Sequence, residues 1–257
     1  LHNAFGNLGA AFGVISLAIF LSTLGWRWAY LFWSVPVLIW GLTVSIFLRV
    51  KSERTEEAED KGSGGGLPKL IFVFSFEFLI FLIAISFREM GITGSSTFMT
   101  TYFVDVRRLS EATASLIFGL GPFVGVVGSL NGGYLGERLG ARRALRWTIV
   151  CCAISLFMLS LIAQPFLLVL VYLVYAFFSN AAFSPMNALV TDLTPIDNRG
   201  LSFSVYFVME ALVLSFAPTL AAGIIELSDV WFIFPFSIAF LIASFLVLQF
   251  IPRVKRH

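Results

Sequence analysis

Gly133-Tyr-Leu-Gly-Glu137-Arg138-Leu-Gly140-Ala-Arg142-Arg143 is a short, charged, glycine-punctuated segment between two long apolar runs. Residues 112–132 before it and 144–163 after it are each oily enough to cross a bilayer, which takes about 20 apolar residues. The segment therefore reads as a tight hairpin turn at a membrane surface, with its arginines in the headgroup region. Its spacing is Gly-x-Leu-x-acid-Arg-x-Gly-x-Arg-Arg. The rest of the chain is read outward from this turn.

Composition supports a bilayer as the solvent. The 257 residues are 58% hydrophobic, 16% aromatic and only 12% charged, with a mean hydropathy of +0.92. Soluble domains carry about 25% charged residues. A net charge of +2 is too small to suggest a nucleic-acid partner. Cys151 and Cys152 are neighbours inside an apolar run and read as small buried residues. His2 and His257 sit at the two ends, so no His, Cys and acid cluster offers metal-ligand spacing. Neither a nucleophile elbow nor a phosphate-binding loop nor a dinucleotide fingerprint is present. No enzyme activity, cofactor or metal is expected.

Eight apolar runs can be placed, at 3–23, 29–49, 70–104, 112–134, 144–163, 166–188, 202–225 and 230–251. The expectation is an all-α membrane protein with about eight transmembrane helices. Residues 50–69 are the one long hydrophilic stretch, mixed in charge and ending Gly62-Ser-Gly-Gly-Gly. They read as a cytoplasmic linker. It divides 1–49, two spans, from 70–257, a six-helix bundle. The third run is about 35 residues, too long for one straight span, so Gly91 and Gly94 are expected to break or kink it. Ser110 and Glu111 form a helix-start signal before the fourth run. Pro122, Pro185 and Pro218 lie inside spans, where kinks are tolerated.

Orientation follows from the basic residues, which favour the cytoplasmic side. Thirteen of the 17 lysines and arginines fall on one side. They lie in the linker, in the Arg138–Arg146 cluster, at Arg199 and in the tail Arg253-Val-Lys-Arg256. Arg27, Arg107 and Arg108 fall opposite, and Arg88 lies within a run. The linker and C-terminus are thus expected in the cytoplasm of a plasma-membrane protein. A weak parallel repeat links Trp28–Lys51, with Pro36, to Trp231–Lys255, with Pro235. Duplicated transporter folds produce such repeats.

Gly133–Arg143 resembles the signature loop of the major facilitator superfamily (MFS), usually Gly-x-Leu-Ala-Asp-Arg-x-Gly-Arg followed by two basic residues. In that family it joins the second and third spans of each six-helix half, and here it joins the second and third runs after the linker. Glu137 replaces the usual aspartate and Ala141 a basic residue. Gly25-Trp-Arg-Trp28 resembles the turn before the family's sixth span. Asp192-x-x-Pro195-x-x-x-Arg199-Gly200 resembles the turn before its eleventh. The resemblance implies an MFS-type bundle whose eight runs correspond to spans 5–12 of 12. Four N-terminal spans of the same protein are then expected as a partner of this fragment. It also implies a secondary active permease that moves a small solute, with or without a proton, by alternating access. A non-transporting membrane sensor on the same fold is the alternative. Gly9-Ala-Ala-Phe-Gly13 matches the family's antiporter motif poorly, so antiport is not inferred.

Within the spans, charges are expensive, about 2.5–3.5 kcal/mol on insertion scales, and so face a cavity or a partner. Arg88 and Glu89 lie midway along the third run. Glu89, Thr93, Ser96, Thr97 and Thr100 recur at helical spacing as one polar face. In the family the corresponding seventh span borders the central cavity. Arg88 and Glu89 are therefore candidates for contact with substrate or a coupling proton, or else form a structural ion pair. Glu210 lies about 16 Å inside the seventh run. That depth suits either proton coupling or a neutral hydrogen bond in packing. Asn180, Ser184 and Asn187 share a helix face, for joining helices or for contacting substrate. Glu77 is nearer the cytoplasmic end and reaches the interface. In the loop, Gly133 and Gly140 permit a tight turn. Arg138, Arg142 and Arg143 anchor it, and Glu137 is a candidate gate that engages a helix N-terminus of the other half, at the start of the first run, in one state. Asp192 and Arg199 frame the second cytoplasmic turn.

Overall fold

A computed structural model describes residues 24–55 and 75–251, together with Gly6, Leu8, Gly9, Phe12, Gly13, Ser16 and Phe20. Among these there is no strand. Contacts group the chain into two compact units, 12–68 and 1–11 with 69–257.

In the smaller unit, the backbone N–H groups of Leu24 and Gly25 both donate to the Phe20 carbonyl. Gly25 has φ of +85°, which glycine adopts without a Cβ clash. Helix α1 (Trp26–Thr55) follows. It packs back on the first run through the Phe20 and Phe32 rings, 5.1 Å apart, and through the Trp33 Nε1 donor to Ser16 Oγ. The rest of the first run, 3–23, lies outside the described residues. Helix α1 runs to Thr55, so helical backbone extends into the stretch read as the start of the linker. Residues 56–69 lie outside the described residues.

The larger unit contains α2 (Phe76–Thr97), α3 (Glu111–Leu139), α4 (Ala141–Leu161), α5 (Pro165–Ala181), α6 (Phe183–Asp192), α7 (Arg199–Leu227) and α8 (Ile233–Val247). Five stretches among the described residues are long and apolar enough to cross a membrane: Glu111–Leu139, Ala141–Leu161, Pro165–Asp192, Arg199–Leu227 and Val230–Phe250. The expected break at Gly91 and Gly94 does not occur. Helix α2 continues unbroken through both, and each glycine lets α8 approach. A Cβ at Gly91 would lie 2.7 Å from the Ser237 carbonyl oxygen, and one at Gly94 would lie 2.5 Å from the Phe236 ring. The interruption comes instead at Phe98, before a helical turn Met99–Thr101 and a π-helical segment Tyr102–Val106. The start of α3 is as the sequence signals. Ser110 Oγ accepts from the Thr113 N–H at 3.2 Å, with Glu111 in the first turn.

The glycines of α3 build the closest helix contact. Gly121, Gly125, Gly128 and Gly132 form one stripe along the helix. A Cβ at Gly121 would lie 2.7 Å from the Tyr172 hydroxyl, and one at Gly125 would lie 2.8 Å from the Asn180 amide. Cβ atoms at Gly128 and Gly132 would overlap the Phe177 and Ala181 carbonyl oxygens. Small residues at such spacing let backbones meet where lipid offers no hydrophobic drive for association. Tyr172 and Ser184 add donors to the Phe118 and Ser129 carbonyls of α3. Pro185 carries no N–H, so the Ala181 carbonyl loses its helical donor, and the chain steps from α5 to α6 at Ala182. Pro122 and Pro218 lie inside α3 and α7 without ending either.

The contact predicts a contrast between neighbours. Gly132→Ala drives a methyl into the Ala181 carbonyl and should destabilise the bundle by about 1–3 kcal/mol. Gly133→Ala meets only ordinary contact, 3.9 Å from Ser184 Oγ, and should be nearly neutral. Thermal melts in detergent measure both.

Candidate functional site

Arg88 and Glu89 lie at the middle of α2 and are 1% and 4% exposed. Neighbouring residues on a helix point about 100° apart and do not normally meet. Here the arginine folds across so that Nη1 pairs with Glu89 Oε1. Its other arm, Nη2, donates to the Ser179 carbonyl at 2.6 Å. Ser179 belongs to the last turn of α5, where carbonyls lack intrahelical donors. The Phe183 ring lies 5.9 Å from the guanidinium carbon. The cation is thus held by a carboxylate, a helix-end carbonyl and an aromatic ring, which a desolvated charge requires.

Glu210 comes to the same place from α7. It is half-buried and within electrostatic reach of Glu89 and Arg88. Tyr206, one turn earlier on α7, is buried and lies within electrostatic reach of Glu210, Glu89 and Arg88. Cys152 of α4, a buried free thiol, lies within electrostatic reach of the pair. The structure therefore unites three of the four residues singled out for substrate or proton. Glu89 is followed along α2 by Thr93, Ser96 and Thr97, and past the interruption by Thr100, none of which is buried, so the polar face beyond Glu89 stays open. The opposite face is sealed: Ser95 Oγ is 3.0 Å from the Tyr175 hydroxyl, and Ser244 donates to the Ala84 carbonyl at 2.6 Å.

Asn180 is placed differently. Its amide packs over Gly125, and its Nδ2 donates to the Ala176 carbonyl at 2.8 Å. It sits at the α3–α5 contact, one residue from the carbonyl that holds Arg88. Ser184 lies beyond the step at Ala182, on the Ser129 carbonyl. The site residues that sequence reasoning missed are Ser179, Phe183, Tyr206 and Cys152. Only Tyr206 had a signal, at four residues from Glu210 on one helix face. Ser179 acts through its backbone and had none.

The turn that opened the sequence reading is shorter than expected. Residues 133–139 are the last turns of α3, and only Gly140 is non-helical before α4. With 29 residues, α3 is about 43 Å long against a hydrocarbon core of about 30 Å, so its end projects beyond the core. Gly140 makes the turn, with φ of +82° and ψ of 143°, a conformation open to glycine. Gly133 does not take part in it. Arg142 grips the end of the last helix, donating to the Leu248 carbonyl at 3.2 Å and the Gln249 carbonyl at 2.7 Å. Arg138 stacks over Tyr134 at 4.5 Å. Asp192 ends α6 and Arg199 opens α7; both are exposed and flank Pro195. Among the described residues no group of three or more His, Cys, Asp or Glu could hold a metal ion.

No curated protein sequence matches the chain significantly. Solved structures do resemble it. One is a bacterial homologue of the iron transporter ferroportin in the outward-facing state, with a TM-score of 0.60 and 18% identity over 77% of this chain and 51% of that one. Another is a bacterial homologue of ferroportin in the inward-facing state, with a TM-score of 0.59 and 16% identity over 92% of this chain and 58% of that one. This chain thus spans between half and three-fifths of the length of those structures, and the likeness is one of fold. The Major Facilitator Superfamily profile matches residues 1–218 and again 81–257. With its helical spans and its signature turn between α3 and α4, the chain belongs to the Major Facilitator Superfamily.

Proposed function

We propose that this chain is the C-terminal part of a secondary active permease that moves a small solute across the plasma membrane by alternating access. On this reading residues 1–49 are the last two spans of an N-terminal bundle, 50–69 are a cytoplasmic linker, and 70–257 form the C-terminal bundle. The observation that carries the proposal is the buried Arg88–Glu89 pair with Glu210 in electrostatic reach. Intramembrane charges of this kind mark substrate and ion pathways. Structures of similar fold in outward- and inward-facing states support the alternating-access part.

The roles divide by placement. Arg88 holds the site together, since both arms of its guanidinium are committed to the protein. Glu89 and Glu210 offer two carboxylates beside one cation. A coupling proton or a cationic group of the solute would rebalance them. Asn180 serves from the neighbouring helix contact. At the α3–α4 turn, Glu137 acts as the gate that engages a helix N-terminus of the other bundle in one state. Asp192 and Arg199 frame the second turn on the same cytoplasmic face.

Transport measurements separate a site from a structural pair. Glu89→Gln and Glu210→Gln in the full-length protein should each lower transport by roughly tenfold or more, the scale of one lost charge-assisted contact. Glu210→Gln should retain expression and melting temperature, whereas Glu89→Gln, which leaves the buried Arg88 cation without its carboxylate, should also lower the melting temperature. A purely structural pair lowers stability in Glu89→Gln but leaves transport normal in the surviving protein of both variants. Glu210→Gln should also flatten the pH dependence of transport.

The gate has its own readout. Glu137→Gln should shift the balance between inward and outward states, scored by cysteine accessibility on the two membrane faces. An unchanged labelling pattern would reduce the turn to an anchor.

A further inference from the structure

A groove of about 670 Å³ opens between α4 and α8, at the membrane end that carries the arginine turn. Its lining residues are Arg143, Arg146, Trp147 and Val150 from α4, Phe245 from α8, and Gln249 from the 3-10 turn Leu248–Phe250 that follows α8. These residues are ordered by depth. Along α4 the order is Arg143, Arg146, Trp147, then Val150, which lies about 10 Å further into the span than Arg143. On the other wall Gln249, just past α8, is outermost, with Phe245 of α8 one turn deeper. Arg146 Nη1 donates to Gln249 Oε1 at 2.6 Å, which ties the polar levels of the two helices together. Trp147 is 60% exposed and lies at the depth where indole rings favour the membrane interface.

The charge of this segment is not balanced locally. Residues 133–147 contain four arginines and one glutamate. Arg142 is engaged with the carbonyls that end α8. Arg143 is exposed, with no hydrogen-bond or ion-pair partner among the described residues. A groove with two guanidinium groups at its mouth, an indole below them and an apolar floor repeats the polarity gradient of a phospholipid. Basic pockets between spans are known to take anionic headgroups.

We infer that this groove binds one anionic phospholipid, its phosphate on Arg143 and Arg146 and an acyl chain along Trp147, Val150 and Phe245. The lipid bridges the first turns of α4 to the end of α8, beside the Gly140 turn. It is a site on the bundle's outer face, apart from the Arg88 cluster, and it stands whether or not the chain transports.

Native mass spectrometry and thermal melts of the full-length protein in detergent test this, with added phosphatidylglycerol, phosphatidylcholine or inorganic phosphate. Phosphatidylglycerol should remain bound and raise the melting temperature, while phosphatidylcholine and inorganic phosphate should not. The paired substitutions Arg143→Gln and Arg146→Gln should weaken phosphatidylglycerol binding about 30-fold, equivalent to about 1 kcal/mol per arginine. Val150→Trp keeps both charges but fills the floor, and should weaken binding about tenfold, the loss of one or two methylene contacts. Arg143→Gln alone removes no internal contact and serves as a folded control, with binding several-fold weaker. Equal retention of phosphatidylcholine, or an equal shift with inorganic phosphate, would overturn the lipid assignment. Wild-type binding by Val150→Trp would overturn the groove in favour of diffuse surface charge.

Discussion

The contact on which this bundle depends is the backbone approach of α3 to α5. Apolar side chains gain little from meeting each other in lipid, so helices must gain from close packing and from polar contacts. The stripe Gly121, Gly125, Gly128 and Gly132 removes every side chain that would hold the helices apart. The Phe177 and Ala181 carbonyls then lie directly on the α3 backbone. Pro185 contributes by leaving the Ala181 carbonyl without its helical donor, and Gly132 covers that oxygen. The α5–α6 step is therefore part of the joint between helices.

The charged site follows from that joint. Ser179 lies two residues before Ala181, and its carbonyl receives Arg88. Phe183, just after the step, places its ring near the same guanidinium. A guanidinium buried at mid-span would be costly without such partners. With the arginine fixed, Glu89 is held beside it, and Glu210 and Tyr206 arrive from α7. The polar face of α2 beyond Glu89 is left open, while the α8 side is closed by Ser244 and Gly91. The packing that seals one side of the helix directs its polar side away from the bundle core.

Two arginines near the ends of the spans hold helix termini. Arg142 donates to the carbonyls ending α8. At the other end of α4, Arg107 donates to the Leu159 and Ser160 carbonyls, where the Tyr102 hydroxyl and the Trp231 indole N–H converge. Both arginines satisfy orphan carbonyls at a helix C-terminus and meet its negative dipole end. Arg142 also joins the turn around Gly140 to the last span, so a movement at the turn would be felt at α8. Arg143 and Arg146, by contrast, face the groove, whose described lining holds no acidic side chain.

Much of this was legible in the residues. Hydropathy placed the spans because a bilayer demands about 20 apolar residues for each. The Gly133–Arg143 spacing carried the family, Ser110 with Glu111 carried a helix start, and the isolated charges marked Arg88, Glu89 and Glu210. These signals are local or periodic, so a one-dimensional reading finds them. The sequence misplaced the interruption of the third span and the extent of the signature turn. In both cases a glycine's role depended on what lay opposite it: Gly91 and Gly94 serve packing on α8, and of the two turn glycines only Gly140 turns the chain. Tertiary structure alone decided that Asn180 belongs to a helix contact, that a backbone oxygen of Ser179 holds Arg88, and that Tyr206 and Cys152 come within electrostatic reach of the pair. Those relations join residues far apart along the chain, and composition and spacing carry no information about which carbonyl a folded backbone will present.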